Sequence, residues 1–338
     1  MGVASMIGPA RAGTVPHGGR IEQARRRFPD APNPFIDLST GINPVPFPLP
    51  PLPATAFTRL PEPETLETLQ LVAARAYGVA DPAMVAAAPG TQVLIDLLPR
   101  LWPARQVAVL GPTYAEHAIC WTRAGAEVCA ITALEDAGEA SVVVACNPNN
   151  PDGRKLSPSE LMACADSLVP GHGLLVIDEA FCDFEPSCSL APALPHPAIV
   201  ILRSFGKTYG LAGLRLGFAL AGPHRAEVIR AALGPWAVSG PALAIGCAAL
   251  ADAGWLAAAR QRLVGDVERL DDCLSHAGLT LIGGTHLFRL AESRSAAAIL
   301  DRLGRAGILV RGFDYRPDWL RFGLPGSEAE WTRLQAAL

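Results

Sequence analysis

SFGKTYGLAGLRLG, running from Ser204 to Gly217, sets one lysine among small and glycine residues just after an apolar run, Ala198 to Leu202. That run is short and bounded by turn residues, as expected of a strand buried on both faces, so Lys207 falls in a glycine-rich turn at a strand end. Such a turn excludes water and lowers the pKa of an amine, two conditions that a nucleophilic lysine needs. Arg215 and the hydroxyl of Ser204 offer a phosphate a fixed positive charge and a hydrogen-bond donor. Taken alone, Lys207 reads equally as a solvated surface lysine.

On the N-terminal side, further apolar runs have the same look: Val107 to Leu110, Glu127 to Ile131, Ser141 to Ala145 and Gly173 to Ile177. Helical patterns, Tyr114 to Ala124 and Pro158 to Ser167, lie between several of them, which predicts a largely parallel α/β sheet. Glu64 to Tyr77 is also helical in period, with Gly78 as its stop. The prolines from Pro44 to Pro53 forbid helix and predict an extended arm lying on the rest. After Pro241 the texture changes to one long helical pattern through Asp271. Shorter segments follow at Leu279 to Ile282, Leu287 to Leu290, Ser295 to Ala306, Ile308 to Val310 and Trp319 to Gly323. The expected division is a large α/β domain over 50–239 and a smaller α+β domain over 240–338, which the N-terminal arm, 1–49, joins.

With 338 residues, half of them apolar, the chain can bury an ordinary core without staples. A net charge of −4 and scattered Lys and Arg argue against nucleic acid as a partner. Eight cysteines without a C-x-x-C pair read as reduced thiols rather than metal ligands, so no metal is expected. No stretch reaches the roughly 18 apolar residues of a membrane span, and the first residues lack a secretion-signal pattern; the expectation is a cytoplasmic protein away from membranes.

Other segments carry candidate chemistry. Asp178 ends an apolar run in VIDEAF, where it reads as a helix cap or as a buried carboxylate with a task. Asn150 lies in NPNNPDG, which is a good turn in any case. Gly90, Thr91 and Gln92 precede a helical pattern, so their N–H groups can face an anion, as at many helix starts. Tyr114 in GPTYAEH reads as a core aromatic or a stacking ring. Arg321 in WLRFGLPG reads as an edge charge or as a two-pronged carboxylate clamp.

Together, residues 90 to 323 resemble the fold-type I aminotransferases, the aspartate aminotransferase superfamily, whose coenzyme is pyridoxal 5′-phosphate (PLP). The resemblance implies a fold-type I transferase: a mainly parallel central sheet in the large domain, with a smaller α+β domain beside it. It implies that Lys207 carries PLP, that Asp178 keeps the pyridine nitrogen protonated and that Asn150 bonds the ring hydroxyl. Gly90, Thr91, Gln92, Ser204 and Arg215 then hold the phosphate, Tyr114 stacks on the ring, and Arg321 takes the substrate carboxylate. It also implies a homodimer with the site near the interface.

Within the superfamily, HGG (17–19), IDLSTGINP (36–44) and DEAFCDF (178–184) resemble the threonine-phosphate decarboxylases of cobalamin biosynthesis, with the histidinol-phosphate aminotransferases as the neighbouring family. Many aminotransferases have tyrosine where this chain has Phe181. Both families take a small phosphorylated amino-acid substrate, for which the resemblance implies Arg311, with His17 and Asn43 as helpers. Arg59-Leu60-Pro61 departs from an R-Y-P-like segment that reaches phosphate across a dimer, and leucine has no hydroxyl to donate. The implied reaction is decarboxylation of O-phospho-L-threonine to (R)-1-amino-2-propanol O-2-phosphate. A histidinol-phosphate-type aminotransferase is the alternative, and a non-catalytic PLP-fold binding module is the remote one.

Overall fold

A computed structural model describes residues 18–338. An arm helix α1 (Ile21–Arg27) and strand β1 (Ile36–Asp37) lead to α2 (Thr55–Thr58) and α3 (Pro63–Tyr77). The large domain continues β2 (Val85–Ala88), α4 (Thr91–Leu101), β3 (Gln106–Leu110), α5 (Ala115–Arg123), β4 (Glu127–Ile131) and β5 (Val142–Cys146). Next come α6 (Pro158–Leu168), β6 (Leu174–Asp178), β7 (Ile199–Ser204), α7 (Phe205–Thr208), β8 (Gly217–Ala221) and α8 (Pro223–Leu233). Helices α9 (Gly240–Ala251) and α10 (Ala253–His276) precede β9 (Thr280–Thr285), β10 (Phe288–Glu292) and α11 (Ala296–Arg305). The chain closes with β11 (Ile308–Leu309), β12 (Arg311–Phe313), β13 (Arg316–Gly323) and α12 (Glu328–Ala337).

The seven-stranded sheet has the order β2-β8-β7-β6-β5-β3-β4. Its run from β7 to β4 is parallel, whereas β8 pairs antiparallel with both β7 and β2. Strands β5 and β6 are buried along their whole length, as continuous apolar runs between two helical layers must be. Edge strand β4 departs from the expected burial: only Ile131 is buried, because no strand covers its outer side. Strands β2 and β8 were not expected at all, since VAAA and GFALA carry little of the β-branched signal.

The long helical pattern after Pro241 divides at Asp252, where α9 and α10 bend by 74°. Asp252 makes the break by accepting from the Trp255 N–H at 2.8 Å, which caps α10. Leu243, Ile245, Ala249 and Leu250 of α9 pack into the large-domain core with Leu69 and Ala73 of α3. The change of core therefore comes along α10, at Trp255, rather than at 240: Trp255 touches both cores, and Ala259 and Leu263 belong to the second. The arm is shared as well, with Ile36 and Leu38 in the small core and Phe47 in the large one. A four-stranded antiparallel sheet, β12-β13-β10-β9, carries the small domain, and β1 pairs with β11 in a separate two-stranded parallel sheet.

Candidate active site

Parallel neighbours bring their C-terminal ends together, which is where ligands bind in open α/β sheets. Asp178, the last residue of β6, is the pairing partner of Cys146 at the end of β5. Its Oδ2 lies 2.9 Å from His117 Nε2, and its Oδ1 accepts from the Ala180 N–H at 3.0 Å. Burial alone raises the Asp178 pKa, but the hydrogen bond and charge of His117, then Lys207, hold it below the usual carboxylate range. For His117, burial works downward and is overcome by Cys146 and Asp178, which push the imidazole up to about 10. The two form a buried ion pair at the floor of the site. One ligand atom each from His117, Cys146 and Asp178 lies within 4.8 Å of the others. The direct bond between His117 and Asp178 makes these two a charge pair. His117 is a site residue that the sequence reading missed; the available signal was its place one helical turn after Tyr114 in GPTYAEH.

Lys207 sits in α7, with its Nζ 4.2 Å from the ring centre of Phe181. Burial lowers its pKa, and Arg321 adds to this, against the opposing pull of Asp178 and Cys146. A lysine so placed gives up its proton, and becomes nucleophilic, more readily than an exposed one. Phe181 itself meets Phe288 edge to face at 5.0 Å, so an apolar wall flanks the amine.

Gly90 caps α4 with φ +89°, and a β-carbon there would lie 2.5 Å from Nη2 of Arg215. Glycine is thus needed for both conformation and close approach. Gly217, paired with Ser204, abuts the Thr91 N–H, from which a β-carbon would be 2.7 Å away. The structure therefore gathers Gly90, Thr91, Gln92, Ser204 and Arg215 into one cup of N–H groups, hydroxyls and a guanidinium at a helix N-terminus. Such a cup suits a phosphate by its chemistry. Tyr114 closes one side, its hydroxyl donating to Gln92 Oε1 at 3.0 Å. Lys207 adds an amine that can bond an aldehyde carbon and Asp178, close enough to act on its charge, a carboxylate that can hold a ring nitrogen, so the residues present fit PLP.

Across the cleft, Arg321 on β13 donates to Asn150 Oδ1 and to Ser39 O, the latter at 2.8 Å. Its Nε is buried without a partner, and burial, with Arg311 next, lowers its pKa to about 10. Asn150 Oδ1 is thereby engaged, leaving its amide nitrogen as the donor. Arg311 is the register partner of Arg321 on β12, so the two side chains leave the same face of the sheet. Arg311 also lines a cavity of about 590 Å³ with Ser39, Arg20, Gln23 and Arg27.

Asn43 does not join them. Its Nδ2 donates to Thr208 O at 2.9 Å, and its Oδ1 accepts from Val45 N–H and Arg262, so both polar atoms of its buried side chain are engaged within the protein. The expected role as a phosphate helper is corrected to a structural one. His17 lies outside the described residues. Glu179, next to Asp178, was also passed over: it accepts from buried Arg203 at 2.6 Å and so ties the ends of β6 and β7 together.

The family model for aminotransferase class I and II matches residues 54–338. Over 336 residues the chain is 45% identical to a threonine-phosphate decarboxylase of Sinorhizobium sp., covering 96% of this chain and 97% of that one. It is 42% identical to the threonine-phosphate decarboxylase of Pseudomonas aeruginosa, over 95% of this chain and 96% of that one. Against histidinol-phosphate aminotransferase 2 of the same organism the identity is 30%, over 91% and 90% of the two chains. Among solved structures, the histidinol-phosphate aminotransferase of Sinorhizobium meliloti in complex with pyridoxal-5′-phosphate superimposes with a TM-score of 0.81 at 26% identity, covering 96% of this chain and 94% of that one. Motifs, fold and full-length likeness agree: the chain belongs to the aminotransferase class I and II family and, within it, to the threonine-phosphate decarboxylases.

Proposed function

We propose that this protein is a PLP-dependent carbon–carbon lyase that decarboxylates O-phospho-L-threonine to (R)-1-amino-2-propanol O-2-phosphate for cobalamin biosynthesis. The observation that carries this is the pair Arg311 and Arg321, two guanidinium groups on one sheet face, the second of them close enough to Lys207 to act on its charge. They suit a substrate with two anionic ends. The greater identity to the decarboxylases than to the aminotransferase favours the lyase over transamination.

Gly90, Thr91, Gln92, Ser204 and Arg215 would hold the coenzyme phosphate, Lys207 its aldehyde carbon, Asp178 its ring nitrogen and Asn150 its hydroxyl, with Tyr114 against the ring. Bound there, PLP supplies an electron sink for bond breaking at the substrate Cα. The chain decides which bond lies in the reactive orientation. A firm grip on the carboxylate would stabilise the ground-state anion more than the neutral CO2 being lost. Arg321 is restrained from the fullest grip, because one N–H of each terminal nitrogen already donates, to Asn150 and to Ser39. Arg311 anchors the phosphate instead and sets the tilt of the carboxylate. Lys207, whose pKa is lowered, is the group placed to deliver a proton to Cα.

The deciding experiment supplies O-phospho-L-threonine and measures CO2, then supplies histidinol phosphate with 2-oxoglutarate and measures glutamate. CO2 release is expected; glutamate without CO2 would assign an aminotransferase, and neither product would assign a silent binding module. Lys207→Ala should abolish both turnover and the borohydride-trappable bond to the coenzyme.

The working form is a homodimer in the cytoplasm. In support of the dimer, Leu49, Phe57, Leu60 and Trp236 are exposed apolar side chains, each more than half accessible. Eight free cysteines suit a reducing compartment. Sedimentation of the purified protein tests the first, and fractionation of the source cells the second.

A further inference from the structure

Helix α7 has four residues, too few to be held by its own hydrogen bonds. The arm takes up its open carbonyls. Asn43 N–H donates to Lys207 O at 2.8 Å, Asn43 Nδ2 to Thr208 O at 2.9 Å, and Phe47 N–H to Tyr209 O at 2.9 Å. Asn43 is therefore an external C-terminal cap on the turn that carries Lys207. A carboxamide has a donor end and an acceptor end, and only one orientation aims Nδ2 at Thr208. The other end fixes that orientation: Oδ1 accepts from the Val45 N–H at 3.1 Å and from Arg262 Nη2 at 2.7 Å. A flipped amide would set NH2 against a guanidinium and oxygen against a carbonyl. Of the two donors the charged one is the stronger.

Arg262 is rooted elsewhere. It lies on α10 beside Leu263 of the small-domain core, and Asp266 holds its Nη1 at 2.9 Å. Thr208 has a second tether, its hydroxyl donating to Asp183, so the turn would pivot rather than melt if Asn43 let go.

We infer that Arg262 is a positioning residue for Lys207: through the carboxamide of Asn43, it sets the orientation of the lysine turn relative to Asp178 and links that turn to the small domain. This rests on the proposed function for its catalytic consequence, though not for the coupling itself. Displacements of catalytic groups by about an ångström can cost on the order of a hundredfold in rate, so a partial release should cost less.

The test compares Arg262→Met, Arg262→Lys and, as a control on the same helix, Arg269→Gln, whose parent arginine pairs with Glu328 at the surface. In the coenzyme-loaded enzyme, Arg262→Met should shift the pH midpoint of the coenzyme's visible absorbance by about threefold in proton affinity. It should also lower kcat about tenfold with KM within about twofold. Arg262→Lys should recover part of both, and Arg269→Gln should match the parent. In the chain without coenzyme, amide hydrogen exchange at Asn43 and Phe47 should quicken in Arg262→Met alone. An Arg262→Met enzyme with the parent's midpoint and kcat overturns the positioning role. Parental exchange at Asn43 and Phe47 overturns the coupling, whatever reaction the enzyme performs.

Discussion

Arg311 and Arg321 stand directly opposite each other across β12 and β13, two positive charges on one face with Lys207 close enough to feel the second of them. Like charges facing across a sheet are unfavourable unless something lies between them. The proposed substrate, anionic at both ends, would supply it.

Replacing Arg311 with methionine keeps much of the apolar stem and removes the charge. Charge-assisted hydrogen bonds contribute about 1.5–3 kcal/mol each, so KM for O-phospho-L-threonine should rise roughly 10- to 150-fold, with a smaller change in kcat. Steady-state kinetics decide it; an unchanged KM would remove Arg311 from the phosphate site.

Relief of the paired charges should also be visible without turnover. In the coenzyme-loaded protein, whose Gly90–Arg215 cup is already filled, inorganic phosphate should raise the melting temperature of the parent and leave that of Arg311→Met nearly unmoved, because ligand binding to the native state alone stabilises by mass action. Equal shifts in both proteins would place the anion elsewhere.

Gly90→Ala should weaken coenzyme binding by at least about tenfold, read as the midpoint of an absorbance titration. Its new methyl group meets the Arg215 guanidinium at 2.5 Å, and alanine at φ +89° adds strain of order 1–3 kcal/mol. Parental affinity would mean that the helix start is not the phosphate cup.

The His117–Asp178 pair makes stability depend on pH. His117 is raised from an ordinary value of 6.5 to about 10, so the folded chain binds more protons across that window. Its contribution is fully present below pH 6.5 and declines as pH rises toward 10. Asp178 is lowered, so its contribution is present above pH 3.8 and is lost as pH falls below that value. Urea midpoints measured from pH 6 to 9 should fall in the parent and run flatter in His117→Gln; parallel curves would mean that the pair is not charged.

Much of the site was legible because its residues occupy contiguous motifs at strand ends. Asp178, Asn150 and Lys207 each lie where an apolar run gives way to a turn, and the fold places all three at the same cleft. His117 and Glu179 were not legible in this way, since their tasks come from partners at Asp178 and Arg203 on other elements. Asn43 was misread for the same reason. IDLSTGINP marks it as polar and turn-forming, and nothing local tells whether its amide meets a substrate or the backbone of Thr208. The single long helix expected after Pro241 failed at Asp252, where a capping carboxylate interrupts a period that apolar spacing alone continues.

Residue order by itself determined the alternation of buried strands and amphipathic helices, the glycine-rich turn around Lys207 and the chemistry that turn can support. These follow from periodicity and backbone preference, which act over a few residues. Only the tertiary structure decided which charges meet: Arg311 with Arg321, Asp178 with His117, Arg215 with Gly90, Arg262 with Asn43. Those pairings depend on which strands become neighbours and where the arm docks, a choice made by burial over the whole molecule.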